Sequence, residues 1–102
     1  MGNKNYERGR STEYKAIEQL EKVGYVATRT AGSHGTFDVI AYNALGTRFI
    51  QCKREEEKAG SYGVDIEKIQ NETLPPFSTG EFWVWRDKTG WIKQDVVKLG
   101  GR

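Results

Sequence analysis

Apolar residues change their spacing several times along this chain, and each change marks an element. Over residues 11 to 23, positions taken at ~100° intervals put Ala16, Ile17, Leu20 and Val23 on one arc, with Lys15, Glu18 and Lys22 opposite. That pattern predicts an amphipathic helix, which Gly24 ends. Tyr25 to Thr30 is rich in β-formers and leads into a flexible turn, Ala31-Gly32-Ser33-His34-Gly35, before a second predicted strand from Phe37 to Tyr42. Asn43-Ala44-Leu45-Gly46 is the next turn. Arg48 to Lys53 carries apolar residues on both faces, as a central strand covered twice should. Arg54 to Gly60, with three consecutive glutamates, reads as a solvated loop. Val64, Ile66, Ile69 and Leu74 predict a short second helix over residues 64–74, stopped by Pro75-Pro76. Phe82 to Trp85 and Gly90 to Ile92 flank Arg86-Asp87-Lys88-Thr89, which signals a hairpin. The order of helix, three strands, helix and two strands predicts an α/β sandwich, not a doubly wound parallel fold.

Composition narrows this picture. A chain of 102 residues supports one domain, covering 1–102. With 36% hydrophobic and 29% charged residues, a folded core under a highly charged surface is expected, not disorder. No apolar stretch approaches the ~20 residues of a membrane span, and the polar opening has no apolar secretory segment. A cytoplasmic protein without a membrane partner is expected, in the host cytoplasm if the source is a phage. Met1-Gly2 does not make a myristoylation signal, because Tyr6 stands where Ser or Thr is needed. Cys52 as the lone cysteine excludes an internal disulfide and a cysteine-based zinc site, and His34 as the lone histidine excludes a histidine cage. The net charge is only +2, but Lys4, Arg8, Arg10 and Lys15 crowd the start of the chain against Glu7 and Glu13. Such a segment is either a phosphate-contacting surface or a solvated terminus.

Three positions interrupt the pattern in a way that suggests chemistry. Glu13 lies at the centre of the apolar arc of the first helix, where a carboxylate is costly unless paired, protonated or bound to a metal. The plain alternative is an acid in the first helical turn that favours the macrodipole. Asp38 breaks the apolar run Phe37-Asp38-Val39-Ile40-Ala41, and aspartate is a poor strand former. It reads as a ligand or as a cap of the glycine turn. After twelve intervening residues, Gln51 and Lys53 project on one face of the third strand together with Phe49, while Ile50 and Cys52 take the other. An ammonium beside an oxygen ligand can hold a water or a phosphoryl oxygen next to a metal. A lysine snorkelling at a strand end is the bland alternative.

Taken together, Glu13, Asp38 and Gln51-Cys52-Lys53, in helix–strand–strand order, resemble the PD-(D/E)XK nuclease superfamily, and more closely its archaeal and phage Holliday junction resolvases. Arg8-Gly9-Arg10-Ser11-Thr12-Glu13 matches the helix-opening segment, Arg29-Thr30-Ala31-Gly32-Ser33 the serine turn, and Phe37-Asp38-Val39-Ile40-Ala41 the first acid, so the resemblance spans roughly residues 6 to 95. Two positions depart from the family: Phe37 replaces the usual proline, and Gln51 the second acid. The second exchange keeps an oxygen ligand but gives up a charge, and metal affinity should fall.

The resemblance implies a restriction-endonuclease-like core, a mixed five-stranded sheet flanked by helices. It also implies that Glu13, Asp38 and Gln51 gather Mg²⁺, with Mn²⁺ as a substitute. Lys53 would act on the water or the transition state, and Ser33 would hold the backbone beside the scissile bond. Branched DNA is the implied substrate, a four-way junction resolved by a homodimer whose two sites match its two-fold symmetry. Lys4, Arg8, Arg10, Lys15, Arg29, His34 and Arg54 are the candidate DNA contacts. The aromatic residues Phe77, Phe82, Trp83, Trp85 and Trp91 offer area for an interface, or are simply core. Another nuclease of the superfamily, restriction-like or acting in repair, and a non-catalytic DNA-binding relative are the alternative readings.

Overall fold

The computed structural model describes the backbone of residues 4–30, 35–56 and 61–101, with side chains from residue 10 onward. Its elements run α1 (Lys4–Lys22), β1 (Val26–Arg29), β2 (Val39–Asn43), β3 (Gly46–Glu55), α2 (Gly63–Gln70), β4 (Ser78–Arg86) and β5 (Gly90–Leu99). The strands form one sheet in chain order, β1-β2-β3-β4-β5. All neighbours are antiparallel except β3 and β4, which run parallel because α2 intervenes as a crossover. This is the expected mixed five-stranded α/β architecture.

Two apolar layers cover the sheet. Ala16 and Leu20 of α1 pack with Val39, Ala41, Ile50 and Trp83, while Ile69 of α2 packs with Phe37, Leu74, Phe82 and Val84. The alternation expected along β3 is present: Ile50 and Cys52 join the α1 layer and Phe49 the α2 layer. β3 is therefore central and covered twice.

Several boundaries differ from the sequence reading, each for a local reason. Val23 does not extend the apolar arc; α1 ends at Lys22, the Val23 amide turns back onto the Leu20 carbonyl, and the side chain is 65% exposed. Helix α2 stops at Gln70, so Leu74 reaches the core from the following turn and not from the helix. Arg54 and Glu55 are not loop. They extend β3, where Glu55 accepts from Arg86 Nε and Nη2 at 3.1 and 2.9 Å and from the Tyr62 hydroxyl at 2.8 Å. Arg86 at the end of β4, Asp87 just after it and the Tyr62 hydroxyl just before α2 satisfy this charged end of β3, so it stays strand. Of the aromatic residues, Phe82 and Trp83 are core, Trp85 and Trp91 are half-buried, and Phe77 is exposed at a positive φ of 58°.

Gly46 marks the closest approach of β3 to the segment that leads into β4. A Cβ there would lie 2.3 Å from the Phe77 carbonyl oxygen, which also accepts from the Thr47 amide at 2.9 Å. Because backbone cannot step aside as a side chain can, Gly46→Ala should destabilise the fold by about 1–3 kcal/mol. Urea denaturation of the two proteins measures it.

Candidate active site

Strand β2 is shorter than β3, and the mismatch opens the site. The β2 pairing on β3 ends at Val39 with Ile50, while β3 continues beside β4 as far as Glu55. Residues 51 to 55 therefore have no β2 partner along one edge. Asp38 stands just before β2 instead of inside it, a position that suits a poor strand former. Its backbone still follows the ladder, with its amide donating to Ile50 O at 2.8 Å and its carbonyl accepting from Thr30 N at 3.0 Å. The carboxylate turns onto the open edge, where Oδ2 accepts from the Cys52 amide at 2.9 Å. Asp38 is thus fixed against the backbone between Gln51 and Lys53.

Glu13 comes from α1 on the other side of this edge. It is paired, because Oε1 accepts from Arg29 Nε at 2.7 Å, with both side chains largely covered. Burial pushes the Asp38 carboxyl up from 3.8 to about 6; the charge of Glu13 adds to this, while the Cys52 amide and Arg29 work against it. Burial, more than the charge of Glu13, sets this shift. The neighbouring Cys52 thiol is also pushed up, first by burial and then by the charges of Asp38 and Glu13, so it is no nucleophile.

Gln51 and Lys53 share one face, as their spacing requires, and that face is the one α2 covers. There they meet Asp65, in the first turn of α2. Gln51 Nε2 donates to Asp65 Oδ1 at 3.1 Å, and Lys53 Nζ lies 3.6 Å from Asp65 Oδ2. Gln51 Oε1 is buried and has no hydrogen-bond partner among the described residues. Burying such an atom unbonded costs about 1–3 kcal/mol, a cost that a hydrogen-bond donor or a cation there would remove.

A hard divalent cation fits this donor set in kind. The oxygens are two carboxylates and one amide, without sulfur or imidazole, which suits Mg²⁺ or Mn²⁺. Among the described residues no three His, Cys, Asp or Glu side chains cluster as a metal site, so a cation there would also need a non-carboxylate oxygen, and Gln51 Oε1 is one without a hydrogen-bond partner among those residues.

The candidate DNA contacts fall into three groups. His34 and the side chains of Lys4 and Arg8 at the start of α1 lie outside the described residues, as does the catalytic candidate Ser33. Lys15 donates to Ser11 Oγ at 3.0 Å and stands 5.1 Å from the centre of the Trp85 ring. Arg29 and Arg54 are half-buried and engaged, the first with Glu13 and the second with Asp87, and Arg10 also has a partner. A half-buried guanidinium needs such a carboxylate, so any phosphate contact by Arg29 or Arg54 would share an existing pair.

Sequence reading missed Asp65 and Glu81. Asp65 looks like an ordinary first-turn acid, and the only hint was its place at the N-terminal end of a predicted helix. Glu81 precedes the apolar run of β4, and a buried acid there was invisible without its partner Arg48.

No protein-family model and no curated protein matches the sequence. Among solved structures, the chain is similar to Hjc of Archaeoglobus fulgidus, a Holliday junction resolvase from an archaeal hyperthermophile. The TM-score is 0.67 at 20% identity, over 88% of this chain and 73% of that one. The chain therefore has the fold of an archaeal Holliday junction resolvase.

Proposed function

We propose that this protein is a metal-dependent endonuclease that resolves four-way DNA junctions. One observation carries the reading: Asp38 caps the open edge of β3 at the residue between Gln51 and Lys53, on a fold shared with a resolvase. Glu13, Asp38 and the Oε1 atom of Gln51 would hold the cation, Mg²⁺ or Mn²⁺. Bound there, it supplies the positive charge that phosphodiester hydrolysis needs. Lys53 adds a fixed ammonium where charge develops on the scissile phosphate. The Asp38 carboxyl is raised chiefly by burial and to a lesser degree by Glu13, and a cation bound beside it would favour its charged form.

A junction has two equivalent strands to cut, so two copies of the chain would act as a C₂ pair. Recognition would rest on shape and phosphates, with Arg10, Lys15, Arg29 and Arg54 as candidates among the described residues and Lys4, Arg8 and His34 as the others. The test is an immobile four-way junction offered with a linear duplex of the same sequence. Symmetric nicks in the junction in Mg²⁺, with the duplex largely intact, are expected. Equal cutting of both would point to a nuclease of the same fold with another substrate. Binding without cleavage, unchanged by Gln51→Glu, would make it a DNA-binding relative.

A further inference from the structure

We infer that Asp65 is a positioning residue of the site, which fixes the Gln51 amide so that its oxygen, and not its nitrogen, is presented as the third metal ligand. The inference rests on the metal reading above and goes beyond it to a residue that no motif contains.

The amide of Gln51 can sit in either of two orientations of the same shape, one offering oxygen and one offering NH₂. Only the first can ligate a cation. An ionised carboxylate has no proton to donate, so the group that faces it must be the NH₂ end. Asp65 Oδ1 accepts from Gln51 Nε2 at 3.1 Å, and the oxygen left over is Oε1, buried and without a hydrogen-bond partner among the described residues. Turning the amide over would set oxygen against carboxylate and bury an unbonded NH₂. Asp65 thereby selects the orientation.

The same carboxylate also restores charge. Glu13, Asp38, Gln51 and Lys53 carry two negative charges and one positive, net −1; counting Asp65 makes it −2, the value that an acid at position 51 would have given. Its other oxygen stands 3.6 Å from Lys53 Nζ, so the ammonium is steadied by the group that turns the amide. A glutamate at position 51 would need no such help, because its two oxygens are alike. Asp65 and Gln51 are thus two parts of one solution, and each makes sense of the other.

The experiment is calorimetric titration of the full chain with Mn²⁺ alone at pH 7.5, without DNA. Asp65→Asn, whose amide can face Gln51 by either end, should weaken Mn²⁺ binding about 10–100-fold, the usual effect of losing a group that orients a ligand. Gln51→Glu added to Asp65→Asn should bring affinity back to within about threefold of the original protein, because orientation no longer matters. A variant that had merely lost its fold would not be rescued this way. Asp38→Asn separates the two layers. If it abolishes binding while Asp65→Asn binds as the original protein does, the role of Asp65 is overturned and the metal site stands. Failure of Gln51→Glu to rescue Asp65→Asn also overturns it. If Asp38→Asn binds Mn²⁺ as tightly as the original protein, the metal site and the inference fall together.

Discussion

Asp38→Asn is expected to abolish junction cleavage, by at least about 10²–10³-fold, and at the same time to make the metal-free protein more stable. Both effects come from the same carboxylate. The fold holds Asp38 in a half-buried place next to Glu13, and its carboxyl is pushed up from 3.8 to about 6, chiefly by burial. Folding therefore binds this proton more tightly than the unfolded chain does. The native protein loses stability as pH rises from about 4 through about 6, and has lost all of that contribution by pH 7.5. Asparagine keeps an oxygen to accept from the Cys52 amide but carries no charge, so it escapes the loss. The gain at pH 7.5 should be about 1–2 kcal/mol, below the ~3 kcal/mol of the full difference because solvent reaches part of the group. Urea denaturation in EDTA at pH 4 and pH 7.5 checks this. The two proteins should differ little at pH 4, with the variant ahead at pH 7.5; equal stability at both would mean that Asp38 carries no electrostatic cost.

The second large effect lies away from the site. Arg48→Met should cost about 3–5 kcal/mol, much of the stability of a domain this size. Glu81 on β4 is 1% exposed, and its carboxylate accepts from Arg48 Nε and Nη2 at 2.8 and 2.9 Å, Thr79 Oγ1 at 2.6 Å and Trp83 Nε1 at 2.9 Å. Burial alone would raise Glu81, but Arg48, with Thr79 and Trp83, holds it below the usual carboxylate range. The Arg48 guanidinium in turn lies over the rings of Tyr25 and Trp83. Without arginine, a buried charge remains with two neutral donors. In the original protein the Glu81 contribution is present above its unfolded pKa near 4.5 and lost as pH falls through the folded value. The variant's deficit should therefore shrink on acidification, when Glu81 takes up a proton. Adding Glu81→Gln should recover much of the loss at pH 7, and a deficit under about 1 kcal/mol in the single variant would show that the pair is dispensable.

The two effects differ in how far the sequence announced them. Asp38 stood out because a charge broke an apolar run, and its separation from Gln51-Cys52-Lys53 matched a known arrangement. Arg48 and Glu81 gave no such sign. They are 33 residues apart, on strands that neighbour only because α2 carries the chain across in parallel, and nothing in either local pattern names the other. The same holds for Glu13 and Arg29. The position of Glu13 on the helical arc announced that it must be compensated, but among pairing, protonation and a metal only the structure identifies the Arg29 ion pair.

Boundaries failed where a local pattern was continued past its physical cause. Val23 obeys the helical period but follows the last helical residue, and Leu74 is apolar at a helical spacing but reaches the core from a turn. Charge alone predicts loop for Arg54 and Glu55, yet Arg86, Tyr62 and Asp87 satisfy them within the fold.

By itself the sequence determined the order of the elements and the mixed α/β class, together with the faces of β3, because side chains two apart in a strand must share a side. It also singled out Glu13, Asp38, Gln51 and Lys53 as residues whose types do not suit their places. Only the tertiary structure decided what those residues meet. It ended β2 early, turned Asp38 onto the exposed edge of β3, and brought Asp65 of α2 over Gln51 and Lys53. The reason is that periodicity reports which way a side chain points along its own element. Which group waits there depends on how distant elements are docked, and that is set by the whole core at once.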